Sequence, residues 1–185
     1  AEGGDQPPFW THYVESGTLN INADTFIQEG SGHGLYARGR NGVTSVVNYN
    51  VRSFKSTTAF TALHAREGEG AIINVGSSAK PLESFVATRT VGGSGVSLLQ
   101  VNEGATINIH SKYVELNAFN TRTGGGAIGT GAWGNVNIAA DSVKITGSIN
   151  GDYGGKGASK EDSVFAANIT TGLFEMTGDI YAGAT

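Results

Sequence analysis

The sequence predicts an all-β protein: a right-handed parallel β-helix, a three-sided β-solenoid with about 28–38 residues per coil. Three observations carry this. The strand motif apolar-Asn-Ile recurs in one register at Leu19-Asn20-Ile21, Ile107-Asn108-Ile109 and Val136-Asn137-Ile138. Leu-x-Ala-Arg, with a glycine four residues on, occurs at Leu35–Gly42 and again 28 residues later at Leu63–Gly70. Thr146-Gly147 with Ile149 returns 31 residues later as Thr177-Gly178 with Ile180. Self-similarity at such a period means one supersecondary unit per repeat, each burying against its neighbours an apolar face it cannot bury alone. Right-handedness follows from the usual sense of parallel crossovers.

The elements follow in chain order. Residues 1–17, with Phe9, Trp10, His12 and Tyr13 close together, match no repeat. They are expected to cap the open end of the stack, where backbone edges and core would otherwise be bare. The β-helix is expected over residues 18–185. Its first strand is "LNINADTFI" from Leu19. "LYARGRNG" then supplies a short strand and a corner, and "VVNY", with Asn48, a weaker copy of the first strand. "LHAREGEG" and "IINV", with Asn74, repeat that pair. "LLQVNEGATINI" from Leu98 and "VNIAADSVKI" from Val136 follow, and "AANITTGLFEM" from Ala166 is assigned to the short-strand type. Corner glycines are taken as Gly42, Gly70, Gly104, Gly134 and Gly172, because glycine reaches positive φ without penalty. Alternate side chains of a strand face opposite ways, so Val143 and Ile145 are expected inward, Ser142 and Lys144 outward. Ile109 and Ile138 should share one internal stack. The chain stops at "DIYAGAT" inside the pattern, which predicts a piece of a longer solenoid.

Composition agrees. The 185 residues contain 29 glycines and 3 prolines, yet 38% are hydrophobic and regularly spaced, which argues against disorder. Net charge is −4 with no basic block, so nucleic acid is not an expected partner. Cysteine is absent, which removes disulfides and thiolate metal sites. No run of about 18 apolar residues occurs, so membrane insertion of this segment as a helix is not expected.

Signals for catalysis are weak. "GGSGV" around Ser94 is a glycine-rich turn rather than a strand-to-helix elbow. "GDYGGKG", with Lys156, lacks phosphate-cradling spacing. The acids Asp24, Asp141, Asp152, Asp162 and Asp179 are scattered, and Lys112 replaces the acid at the third copy of the Asp24/Asp141 position. Paired carboxylates for glycan chemistry are therefore not expected. His12, His33, His64 and His110 are not spaced as metal ligands. Glu67, Glu69 and Glu103 would bind calcium only if adjacent coils aligned them; solvated turn charges are the favoured reading. No metal and no cofactor is expected.

A binding surface remains. The middle residue of the short strand is expected to face outward, as a ladder of Tyr36, His64, Gln100, Thr130 and Asn168. Three segments break the period: Arg52–Phe60, Ser77–Gly95 and Gly151–Ser163. Insertions on solenoids map to loops of one face and often bind. The segment Ser77–Gly95 is the longest, and its Phe85 and Arg89 are the residue types that anchor interfaces. Candidate ligand-binding residues are accordingly Phe85, Arg89, Tyr36, His64 and Gln100.

"VNIAADSVKITGSING", "TLNINADTF" and "TGDIYAG" resemble the repeats of bacterial autotransporter passenger domains, the adhesin-like members of the type V secreted surface proteins. The resemblance covers residues 18–185. It implies a right-handed β-helix, export through an outer-membrane β-barrel at the C-terminus of the precursor, and display on the bacterial cell surface. It also implies adhesion to a host surface protein or glycan, or self-association between cells. No translocator barrel is present in this sequence, so the resemblance implies an excised passenger piece. Alternative functions are a glycan-active lyase or hydrolase on the same scaffold and a purely structural stalk.

Overall fold

The computed structural model describes residues 10–92, 95–121, 125–131, 133–151 and 166–181. The chain coils through two sheets in alternation, for about five turns. One sheet holds seven short strands: β1 (Trp10–Val14), β3 (His33–Arg38), β5 (Leu63–Arg66), β8 (Leu99–Val101), β10 (Ile128–Thr130), β12 (Ile149–Gly151) and β14 (Ile180–Tyr181). The other holds the long strands β2 (Gly17–Gly30), β4 (Ser45–Thr58), β9 (Thr106–Asn117), β11 (Asn135–Thr146) and β13 (Ala166–Thr177). Between β4 and β9 the long strand is split into β6 (Ala71–Val75) and β7 (Leu82–Arg89). Every pairing is parallel, each strand bonding to the equivalent strand one coil away. Among the described residues the only helical element is a 3-10 turn at Arg40–Gly42.

The repeat alignments are the observed registers. Leu35 pairs with Leu63 and Arg38 with Arg66; Asn137 pairs with Asn108; Thr146 pairs with Thr177 and Ile149 with Ile180. Ile109 and Ile138 are neighbours in one buried column. Val143 and Ile145 are buried while Lys144 is exposed. Like residues stacked at the strand spacing of about 4.8 Å form the core, each buried aliphatic or aromatic side chain contributing about 1.5–3 kcal/mol. Phe26, Phe54 and Phe85 form an aromatic column, with ring centroids 5.1 and 4.7 Å apart. Tyr49 closes edge-on against Phe54.

Three expectations change. The second and third strands of the repeat run together as one strand of 12–14 residues. Their burial changes phase midway: Ile107, Ile109 and Ser111 are buried, then Val114 and Leu116. Gly172 lies inside β13 and is no corner. Gly42 and Gly104 do take positive φ, 75° and 81°, whereas Gly70 and Gly134 do not; Glu67, Glu103 and Trp133 are left-handed as well, with φ of 64°, 58° and 54°. Of the expected cap, β1 is the outermost strand of the short-strand sheet, paired parallel to β3; residues 1–9 lie outside the described residues.

Candidate functional site

The outer face of the long-strand sheet is written in columns. Asn20, Asn48, Asn74, Asn108, Asn137 and Asn168 occupy one register position in successive coils. From Asn48 onward each side-chain amide donates to the carboxamide oxygen of the preceding coil at 2.8–2.9 Å, giving an unbroken ladder that ends on Asn20 as acceptor. The repeated Asn-Ile motif therefore has two halves: isoleucine stacks in the core, and asparagine ties the coils together outside.

A second column sits at the phase change of the long strands. Registers on either side of it align Asp24, Arg52, Glu83, Lys112 and Asp141, alternating in charge. Arg52 donates to both oxygens of Asp24, at 2.7 and 2.8 Å, and Lys112 donates to Glu83 at 2.8 Å. The Arg52 hydrogen bond holds the Asp24 carboxyl below its usual range, and the Glu83 hydrogen bond raises the Lys112 ammonium. Asp141 ends the series. Gly172 follows it in the next coil, so Asp141 faces no cation beyond Lys112.

Beside this column the sheet is interrupted. Residues 76–81, between β6 and β7, take the place that His110 alone occupies in the next coil. The chain leaves the stack at Gly76, whose φ is 71°; an added Cβ there would lie 2.5 Å from the His110 carbonyl. Reciprocal backbone hydrogen bonds between Ser77 and Lys80, at 3.1 and 3.2 Å, close the loop. It stands over the sheet as one wall of a groove of about 570 Å³, within the range of small-ligand sites.

The floor of the groove is made of small residues, Ala139, Ala140 and Gly172, which leave a depression between taller neighbours. Ser78, His110, Lys112, Asp141 and Thr170 supply polar side chains, while the hydroxyls of Ser111 and Thr171, also in the lining, are bonded to backbone carbonyls. Lys112 is held by Glu83 and also feels the charge of Asp141, whereas among the described residues the side chains of Ser78, His110, Asp141 and Thr170 have no hydrogen-bond partner. The groove thus offers a carboxylate acceptor, an ammonium donor, an imidazole and two hydroxyls on four consecutive coils.

The candidate residues read from sequence lie elsewhere, and all of them are buried. Phe85 is 0% exposed, stacked on Phe54 in the core. Arg89 is 4% exposed; it donates to the Val91 and Val96 carbonyls and lies 6.0 Å over the Phe60 ring. Both belong to β7, a regular strand of the stack, so neither is an anchor on an exposed loop. The same segment does form the groove wall, but through Ser78 and Pro81. The stretch Arg52–Phe60 is likewise mostly β4, and Gly151–Ser163 lies outside the described residues after Gly151.

The outward ladder also changes. Tyr36, His64 and Gln100 do share a column, but at 6%, 5% and 4% exposure they are buried. The Trp10 ring packs against Tyr36 and His64, with centroids 4.7 and 5.5 Å away, and Tyr13 stacks on Tyr36. Gln100 accepts from the Ser97 amide and donates to Asn102 Oδ1 at 3.2 Å, an atom that also lies 3.3 Å from His64 Nε2. The next members are Gly129, Asn150 and Tyr181 rather than Thr130 and Asn168. Thr130 pairs with Val101, and Asn168 completes the asparagine ladder. The motif Ala167-Asn168-Ile169, matching Val136-Asn137-Ile138, was the signal for it. Burial holds His33 down to about 4 and His64 down to about 3. Burial also pushes up the Tyr36 and Tyr49 phenols.

Two of the three glutamates considered for calcium, Glu67 and Glu103, face arginines. Glu67 accepts from Arg38 at 2.6 Å, and Glu103 lies 3.9 Å from Arg66. No family model matches the chain, and neither does any curated protein or solved structure compared with it.

Proposed function

We propose that the chain is a non-catalytic binding module of an exported bacterial surface protein, adhering to a host protein or glycan or to a neighbouring cell. The observation that carries this reading is the groove beside the 76–81 loop. It is a concave patch in which, among the described residues, Ser78, His110, Asp141 and Thr170 have no hydrogen-bond partner, on the same face as the asparagine column that is tied into a ladder. Among the described residues lining it Asp141 is the only carboxylate, while glycoside cleavage uses two, which favours holding over cutting. The resemblance to autotransporter passengers supports export and surface display. The same reading makes the coil right-handed, the sense parallel crossovers take, and three-sided, since the phase change divides each long strand in two.

The test is to incubate the chain with immobilised glycans and extracellular-matrix proteins, and to assay the same glycans for cleavage. Saturable binding without new chain ends is the expected result. Cleavage would move the function to the glycan-active class, and no binding to any surface would favour the stalk.

A further inference from the structure

We propose that the groove between the Gly76–Pro81 loop and the coils of β9, β11 and β13 holds an uncharged, hydroxyl-rich oligosaccharide laid across successive coils. This rests on the binding reading above and names its ligand chemistry. Three features of the groove select that chemistry.

The first is spacing. His110, Ala139 and Thr170 share one column, and Lys112, Asp141 and Gly172 the adjacent one. Taken together the two columns place a polar side chain on every coil, His110 and Lys112 on the first, Asp141 on the second and Thr170 on the third, at steps of about 4.8 Å. A chain of sugar rings carries hydroxyls on every ring and meets a partner at each step. The second is shape. Ala139, Ala140 and Gly172 form a shallow apolar floor that accepts the C–H face of a ring, with polar groups at the rim. A ring hydroxyl donating to Asp141 makes a charge-assisted bond, the strong kind.

The third is charge. Lys112 already serves Glu83 and has Asp141 on its other side, and the chain carries net charge −4, so an acidic polymer gains no free cation here. A peptide fares worse. β9 and β11 are bonded to neighbours on both sides; β13, the last described strand of this sheet, is bonded only to β11, so a peptide could add a strand beyond β13 but not across the floor. Nor does an open floor of alanine and glycine provide the deep pocket in which peptide anchors are desolvated.

The experiment titrates the whole chain, by calorimetry and by amide chemical shifts, with short β-linked glucan and N-acetylglucosamine chains. Polygalacturonate and an unfolded peptide serve as the competing chemistries. Ala139→Trp fills the floor from the solvent side; Asp141→Asn removes the charge and turns one of the two acceptor oxygens into a donor without changing size; Lys144→Ala is the control. Variants are compared after their melting temperatures are shown to match the parent. The expected result is binding of an uncharged oligosaccharide, amide shifts centred on His110, Asp141 and Thr170, and affinity reduced about tenfold or more in Ala139→Trp and Asp141→Asn only. If Ala139→Trp does not fold, Asp141→Asn and the shift map carry the same decision. Binding unaltered by these variants, with shifts elsewhere, overturns the groove while leaving the module a binder. Binding of the acidic polymer or the peptide alone overturns the chemistry. No binding to any probe overturns this proposal, and the matrix-protein surfaces then decide the broader function.

Discussion

Asn108 shows how one side chain serves the stack twice. Its amide donates to Asn74 and its oxygen accepts from Asn137, both at 2.9 Å. Asn20, at the end of the ladder, takes part in one such bond. A net hydrogen bond is worth about 0.5–1.5 kcal/mol, and removing one partner strands the other. Asn108→Ala should therefore cost about 1–3 kcal/mol, and Asn20→Ala, exposed and bonded once, less than half as much. Urea denaturation of the two variants measures this. Equal losses would mean that the ladder contributes nothing beyond the single site. Phe85 belongs to the same scale. Its alternation with Ala87 and Leu82 is that of a buried strand, but Leu82 and Phe85 straddle the phase change, so a strict two-residue period conceals it.

At the scale of elements, the first short strands are held by a cluster of rings. The Trp10 ring in β1 lies 4.2 Å from His33 in β3 and 5.5 Å from His64 in β5. Burial lowers both imidazoles, with Arg89 adding to the effect at His33, and Arg66 and His33 adding to it at His64. Each folded pKa lies below the ordinary value of 6.5, so the unfolded chain binds more protons between them. The stability these residues contribute is full above about pH 6.5 and falls as pH drops through 6.5 toward 4. Melting temperature should fall from pH 7.5 to pH 5, and His64→Gln should flatten the slope; an unchanged slope would show that these histidines do not titrate with folding.

The long-strand registers were legible because Asn-Ile recurs with its neighbours, as at Asn108 and Asn137. The covering of Tyr36, His64 and Gln100 was not, because Trp10 and the segments around Ser97 and Asn102 close over the outer side of short strands whose alternation looks amphipathic. The groove was half legible. The length of the 77–95 segment marked an insertion, but not that residues 76–81 leave the stack while Leu82–Arg89 re-enters it as β7.

At the scale of the molecule, everything rests on in-register coils stacked along one direction. The column Asp24, Arg52, Glu83, Lys112 and Asp141 advances one coil per member. With no cysteine in the sequence, pairs of introduced cysteines take spin labels at chosen positions alone. The decisive measurement is the label-to-label distance by electron double resonance, with one label at Asp24 and the other at Glu83, Lys112 or Asp141. Stacking predicts a linear rise of about 4.8 Å per coil, reaching roughly 19 Å between Asp24 and Asp141. Distances that do not grow with the number of intervening coils would contradict the solenoid, and with it the ladder and the groove.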